Sequence, residues 1–247
     1  MPGLDWLTAR PVAHRGLHDG IKAIENTASA VRAAIDANYA VEVDLQITAD
    51  GEAMVHHDDV LGRLTERTGD LHALTAADLK QVPFKASDDR MMTLGELLDL
   101  VAGRVTLLLE MKSRFAGDSR LVSRVADVLT AYAGPVAAMS FDPEQITLLK
   151  NMAPGLPRGI VAERHYRGDE WETLSPSQRH NLALSRHAFR TRPHFIAYRV
   201  HDLPAMAPLF ARHIFGVRLL AWTVRNEADR RRAAVWADQM IFEGLRP

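Results

Sequence analysis

The sequence predicts an α/β fold, a closed (β/α)₈ TIM barrel with a small insertion after its second strand. Three observations predict it. Eight short apolar runs recur along the 247 residues, segments with helical periodicity and start signals lie between them, and one stretch, residues 58–92, breaks the alternation. Length alone leaves one or two domains open. The unbroken alternation resolves it as a single domain over 1–247, with an open doubly wound sheet as the alternative arrangement of the same units.

The runs are Pro11 to His14, Ala40 to Ile47, Arg104 to Met111, Pro135 to Ser140, Arg158 to Ala162, His194 to Val200, Val217 to Val224 and Gln239 to Phe242. Asn26-Thr27 precedes the i, i+3, i+4 stripe of Val31, Ala34 and Ile35, and Thr93 with Glu96 has the form of a capping box before Leu97, Leu98 and Val101. Asp142-Pro143 and Ser175-Pro176 each place a capping side chain before a proline at the first helical position, and Asn226 opens a further helix. Residues 58–92 hold Gly62, Gly69 and a short helical pattern around Leu74 to Val82. Loops longer than about 12 to 15 residues usually serve function, so this excursion is expected to matter at the site. Only Glu243 to Pro247 follow the last run, too few for an eighth outer helix, and residues 1–10 are expected to help cover the barrel.

Hydrophobic residues make up 47% and charged residues 25%, which supports a sizeable core. The chain has no cysteine, which excludes disulfide scaffolds, thiolate nucleophiles, cysteine-ligated zinc and iron–sulfur clusters together. Any metal must be held by oxygen or imidazole. Met1 to Trp6 lacks a signal-peptide pattern and no run approaches about 18 apolar residues, so a cytoplasmic protein without a transmembrane segment is expected. With 30 basic against 31 acidic residues, a nucleic-acid partner held by bulk charge is excluded. The balance hides an asymmetry: residues 1–157 carry 15 basic and 22 acidic groups, residues 158–247 carry 15 and 9.

In a parallel barrel the active site gathers at the C-terminal ends of the strands. The first run ends in His14-Arg15-Gly16. The second carries Glu42-Val43-Asp44, whose carboxylates share one face of a strand while Val41, Val43 and Leu45 take the other. The third ends in Glu110-Met111-Lys112. Glu-x-Asp alone fits a solvated strand edge, but three carboxylates in one barrel mouth repel unless compensated. A divalent cation compensates them, and all-oxygen ligation by Glu42, Asp44 and Glu110 suits Mg²⁺ or Ca²⁺, with Mn²⁺ also compatible. The Asp50-Gly51 turn returns the chain toward these carboxylates through His56-His57-Asp58, and alternation lets only one of the two histidines face the mouth. Imidazoles beside a metal site suit general acid and base chemistry near neutral pH.

His14-Arg15-Gly16, Glu25-Asn26-Thr27, Glu42-Val43-Asp44, Thr48 to Gly51, His57-Asp58, Leu61 to Thr65, Gly69, Thr93-Leu94 and Glu110-Met111-Lys112 stand in an order and spacing that resembles the glycerophosphodiester phosphodiesterase family. The resemblance continues more weakly through Ser140 to Glu144 and Trp222 to Val224. It implies hydrolysis of glycerophosphodiesters, such as glycerophosphocholine or glycerophosphoethanolamine, to sn-glycerol 3-phosphate and an alcohol with a divalent cation. By position it makes His14 and His57 the general acid and base, with His57 rather than His56 in the catalytic place. Glu42, Asp44 and Glu110 become metal ligands, and Arg15 and Lys112 phosphate contacts. Beside the resemblance, Trp222 at the end of an apolar strand reads as a substrate contact that stacks on the glycerol or alcohol, and Glu25 as orienting Arg15. A related phosphodiesterase acting on lysophospholipids or phosphoinositide-like head groups is one alternative, though the acidic 58–92 stretch suits anionic membranes poorly. A non-catalytic binding barrel is another, and none of the implied catalytic residues is missing. The family usually closes with Thr-Asp near the end of the eighth strand, where this chain has Phe242-Glu243.

Overall fold

The computed structural model describes residues 3–20, 23–168 and 171–247. Its strands in chain order are β1 (Val12–Ala13), β2 (Ala40–Ile47), β3 (Ala53–Val55), β4 (Val60–Leu61), β5 (Gly69–Asp70), β6 (Leu107–Met111), β7 (Val136–Ser140), β8 (Arg158–Ala162), β9 (Phe195–Arg199), β10 (Arg218–Val224) and β11 (Gln239–Phe242). The helices are α1 (Asp5–Thr8), α2 (Ala28–Asp36), α3 (Ala76–Lys80), α4 (Leu94–Val101), α5 (Arg120–Leu129), α6 (Pro143–Met152), α7 (Pro176–Ala183), α8 (Ala188–Thr191), α9 (Met206–Phe215) and α10 (Glu227–Trp236).

Eight strands, β1, β2 and β6 to β11, pair in parallel in that order, and β1 pairs with both β2 and β11, which closes the barrel. The predicted runs coincide with these eight strands to within three residues at each end. The helix starts also follow the sequence signals. Thr27 caps α2 by accepting the Ala30 N–H, Thr93 and Glu96 form a reciprocal capping box on α4, and Asp142 caps α6 ahead of Pro143.

Alternation along the strands separates two environments. Val41, Val43 and Leu45 pack with Leu97, Leu121 and Val125 of the helical layer, while Ala40, Glu42 and Asp44 belong to the barrel interior. The lower interior is apolar, built from Val12, Ala40, Leu108, Val161, Phe195, Leu220 and Ile241. Phe195 needs the space above Gly159, where an added Cβ would lie 2.3 Å from its ring. Leu7 of α1 is fully buried in this same layer, and Trp6 accepts a hydrogen bond from Thr106 through its carbonyl. The N-terminal segment therefore plugs the barrel floor, opposite the end where the carboxylates lie.

The excursion has its own core. β2 turns back through Asp50-Gly51 to pair antiparallel with β3, and the chain then forms the β4–β5 ribbon, a 3₁₀ turn at Leu71–Ala73 and α3. Ile24, Met54, Leu61, Leu71, Leu79, Val82, Phe84 and Met91 bury one another beneath it. At roughly 1.5–3 kcal/mol for each large side chain removed from water, this cluster fixes the segment as a firm wall beside the mouth.

Candidate active site

Backbone geometry at the end of β1 begins the site. Arg15 and Gly16 both have positive φ, 57° and 80°, and an added Cβ on Gly16 would fall 2.8 Å from the Ala30 carbonyl carbon. Only glycine fits there. The resulting turn lets the Arg15 N–H donate to Glu42 Oε2 at 2.9 Å, while the guanidinium reaches Glu25 at 2.8 Å and Asp44 at 3.0 Å. Glu25 thus orients Arg15, as the sequence suggested, and also holds Arg63.

Glu42, Asp44 and Glu110 converge, each offering an oxygen within 4.8 Å of the other two, and all three are buried. Burial, reinforced by the charges of Asp44 and Glu110, pushes the Glu42 carboxyl well above its usual range. Burial acts the same way on Asp44, but the Lys112 and Arg15 charges outweigh it and hold that carboxyl well below. Lys112 Nζ lies 2.7 Å from Glu110 and 3.0 Å from Asp44. Glu42 Oε1 is buried without a hydrogen-bond partner among the described residues. An unmatched carboxylate oxygen beside two further buried carboxylates is the donor set a hard divalent cation requires, so these residues fit such an ion.

Two imidazoles flank the cluster. His14 Nδ1 donates to Glu243 Oε2 at 2.8 Å, and its Nε2 lies 4.0 Å from Glu42. His57 Nδ1 donates to Asp58 Oδ1 at 2.8 Å. In each ring a carboxylate takes Nδ1, which leaves Nε2 as the working nitrogen. Burial lowers the His14 pKa against the opposing pull of Glu243, whose own pKa drops to about 2 through its hydrogen bond with His14. His56 is buried against Phe84, 6.5 Å between ring centroids, and takes no part in the mouth.

His14, Arg15, Glu42, His57, Glu110 and Lys112 line one cavity of about 310 Å³. Its far wall holds Glu163, Arg199, Arg225 and Trp222, whose indole donates to the Ala197 carbonyl at 2.9 Å and meets Phe141 edge-on. All eight site residues expected from the sequence therefore border or contribute to a single centre.

The sequence reading assigned no role to three further residues. Asn26, buried with positive φ, donates to Asp44 Oδ2 and accepts the Asp44 N–H, locking that carboxylate in place. Its position beside the Thr27 cap read only as a helix start. Asp58 follows His57 directly, and its pairing with that ring depends on a rotamer rather than a motif. Glu243, directly after β11, stands where the family usually has Thr-Asp, and it brings a carboxylate to His14.

The chain matches the family model of the glycerophosphoryl diester phosphodiesterases over residues 14–245. It is 25% identical over 231 residues to the glycerophosphodiester phosphodiesterase of Caldanaerobacter subterraneus subsp. tengcongensis, covering 90% of this chain and 88% of that protein. A glycerophosphodiester phosphodiesterase of Bacillus subtilis is 26% identical over 254 residues, 94% of this chain and 82% of that one. Among solved structures, an Oleispira antarctica phosphodiesterase in complex with the product sn-glycerol-3-phosphate superposes with a TM-score of 0.79 at 20% identity, covering 96% and 94% of the two chains. Closed barrel, buried carboxylate cluster and a family match over nearly the whole length agree: the chain is an enzyme that belongs to the glycerophosphoryl diester phosphodiesterase family.

Proposed function

We propose that the protein hydrolyses glycerophosphodiesters to sn-glycerol 3-phosphate and an alcohol, using a divalent cation together with His14 and His57. The observation that carries this reading is the placement of three buried carboxylates and two carboxylate-backed imidazoles around one cavity. The whole chain acts as one barrel domain with the 58–92 excursion as part of its mouth, in the cytoplasm. Among the described residues no helix is long and apolar enough to cross a membrane.

Glu42, Asp44 and Glu110 would hold the cation, and their all-oxygen character suits Mg²⁺ or Ca²⁺. When bound, the ion supplies positive charge to a phosphodiester that otherwise repels any nucleophile. The chain's own groups do the rest. Arg15 and Lys112 contact the phosphoryl oxygens, and one imidazole takes the proton of the entering hydroxyl while the other gives a proton to the departing alkoxide. Trp222, fixed by its hydrogen bond to Ala197, offers a flat wall to the glycerol. The entering hydroxyl belongs either to water or to the neighbouring glycerol carbon.

The test is turnover of glycerophosphocholine and glycerophosphoethanolamine with Mg²⁺ or Ca²⁺, before and after chelation. Activity is expected to vanish with chelator and return with the cation. Full activity under saturating chelator rejects the metal role.

A further inference from the structure

Helix α9 turns its larger apolar side chains outward. Its inward side is modest, with Pro208 buried and Leu209 and Ala211 half-buried against the barrel. Met206, Phe210 and Ile214 stand four residues apart on the opposite side, and these three and Phe215 are each more than half exposed. The Phe210 and Phe215 rings meet edge-on at 5.6 Å, so the stripe is one patch. Single exposed apolar residues are common, but a contiguous aromatic and aliphatic strip marks a surface that something covers.

The charge around the strip identifies the cover. In the closed ring, β1, β2, β6 and β7 with their helices belong to residues 1–157, where acidic residues outnumber basic ones 22 to 15. Strands β8 to β11 belong to residues 158–247, where 15 arginines stand against 9 carboxylates. The imbalance along the sequence thus becomes two halves of one barrel, and α9, joining β9 to β10, lies at the centre of the basic half. From the start of α7 onward, residues 176–247, twelve arginines meet five carboxylates. Asp229 is buried, Asp202 accepts the Arg164 N–H, Asp238 binds Arg212, and Glu243 binds His14 and Arg225. That leaves Glu227, shared by Arg230 and Arg231, as the exposed one. On α10 the exposed side carries Arg231, Arg232 and Val235, and Arg212 of α9 reaches the Trp236 carbonyl at its end, so the two helices lie side by side.

We propose that α9 docks the protein on an anionic lipid bilayer, with Met206, Phe210, Ile214 and Phe215 entering the interface while Arg231 and Arg232 bind its headgroups. A helix with aromatic and aliphatic residues outward and arginines alongside lies in the plane of such an interface. An anionic plane attracts the basic half, repels the acidic half that carries the excursion, and so turns α9 toward itself. A second copy laid face to face would set arginine against arginine, which disfavours self-association there. Arg199 at the end of β9 and His201 in the turn that leads into α9 line the first cavity. Because α9 belongs to the outer helical layer, docking sets the mouth beside the bilayer and leaves it open to water.

Cosedimentation of the intact chain with vesicles tests the surface, and its readout is independent of the diesterase reading. The wild type is expected to sediment with vesicles of equimolar phosphatidylcholine and phosphatidylglycerol, to stay in solution with phosphatidylcholine alone, and to be released as salt is raised. R231Q/R232Q should weaken partitioning by about twentyfold, at roughly fivefold for each arginine. F210S/I214S should weaken it by about tenfold or more. All four side chains are exposed, so melting temperatures should stay close to that of the wild type. A wild type that ignores the mixed vesicles, or that binds both compositions equally, overturns the proposal, as do variants that bind as the wild type does. A wild type that sediments as a dimer broken by F210S/I214S also overturns it, and assigns the face to a second copy of the chain.

Discussion

His14 owes its working geometry to a residue 229 positions away. Glu243 fixes the ring through Nδ1 and is itself steadied by Arg225 at 2.9 Å. Removing such an orienting partner typically costs 10- to 100-fold in activity. Glu243→Leu should therefore lower kcat roughly tenfold or more with KM little changed, while Glu243→Gln, which keeps a hydrogen-bonding oxygen, should recover part of the loss. A second prediction concerns the imidazoles. His14→Ala and His57→Ala should each abolish turnover with the melting temperature little changed, because each removes one of the two proton-transfer groups. His56→Ala should be mild. Glu42, Asp44 and Glu110 were legible in sequence because alternation along a strand places side chains by counting, whereas His14, His57 over His56, Arg15 and Lys112 were legible through the family resemblance. Asn26 and Asp58 were not, because their roles depend on a positive φ at one and a side-chain rotamer at the other.

Strands and caps were legible for the same reason of local periodicity, and the helix starts at Thr27, Thr93 and Asp142 are where their capping side chains put them. The excursion was visible only as a broken rhythm. Its ribbon β4–β5 is two residues a side, too short for any pattern, and its order comes from the Leu71, Leu79 and Phe84 cluster rather than from propensity. An element-scale prediction concerns the connection between α7 and α8. His187 there is partly buried with neither ring nitrogen hydrogen-bonded among the described residues, and burial lowers its pKa from 6.5 to about 4. Between those values the unfolded chain binds a proton that the folded chain refuses. Stability is therefore complete above pH 6.5 and falls as the pH drops toward 4, by about 2 kcal/mol for this group after allowing for partial exposure. Buried His14 and His56 act in the same direction. His187→Leu should flatten, without abolishing, the decline in melting temperature between pH 7 and pH 4.5.

At the scale of the whole molecule, the barrel divides into an apolar floor and a charged mouth. Leu7 plugs the floor, so Leu7→Ala should cost about 2–5 kcal/mol in denaturant unfolding while leaving kcat close to wild type at a temperature where the variant stays folded. Residues 1–10 were expected to help cover the barrel, but the entry of Leu7 into the interior depends on packing with Phe195 and Ile241, which no local pattern encodes.

The hydrogen bond between His14 and Glu243 joins the first barrel strand to the last. During synthesis the three buried carboxylates and both histidines emerge long before Glu243, the residue that orients His14. A growing chain thus holds an unfinished catalyst until β11 docks between β1 and β10. Turnover consequently reports ring closure: an enzyme in which only the last strand has come away should fall silent while nearly all of its helical signal persists.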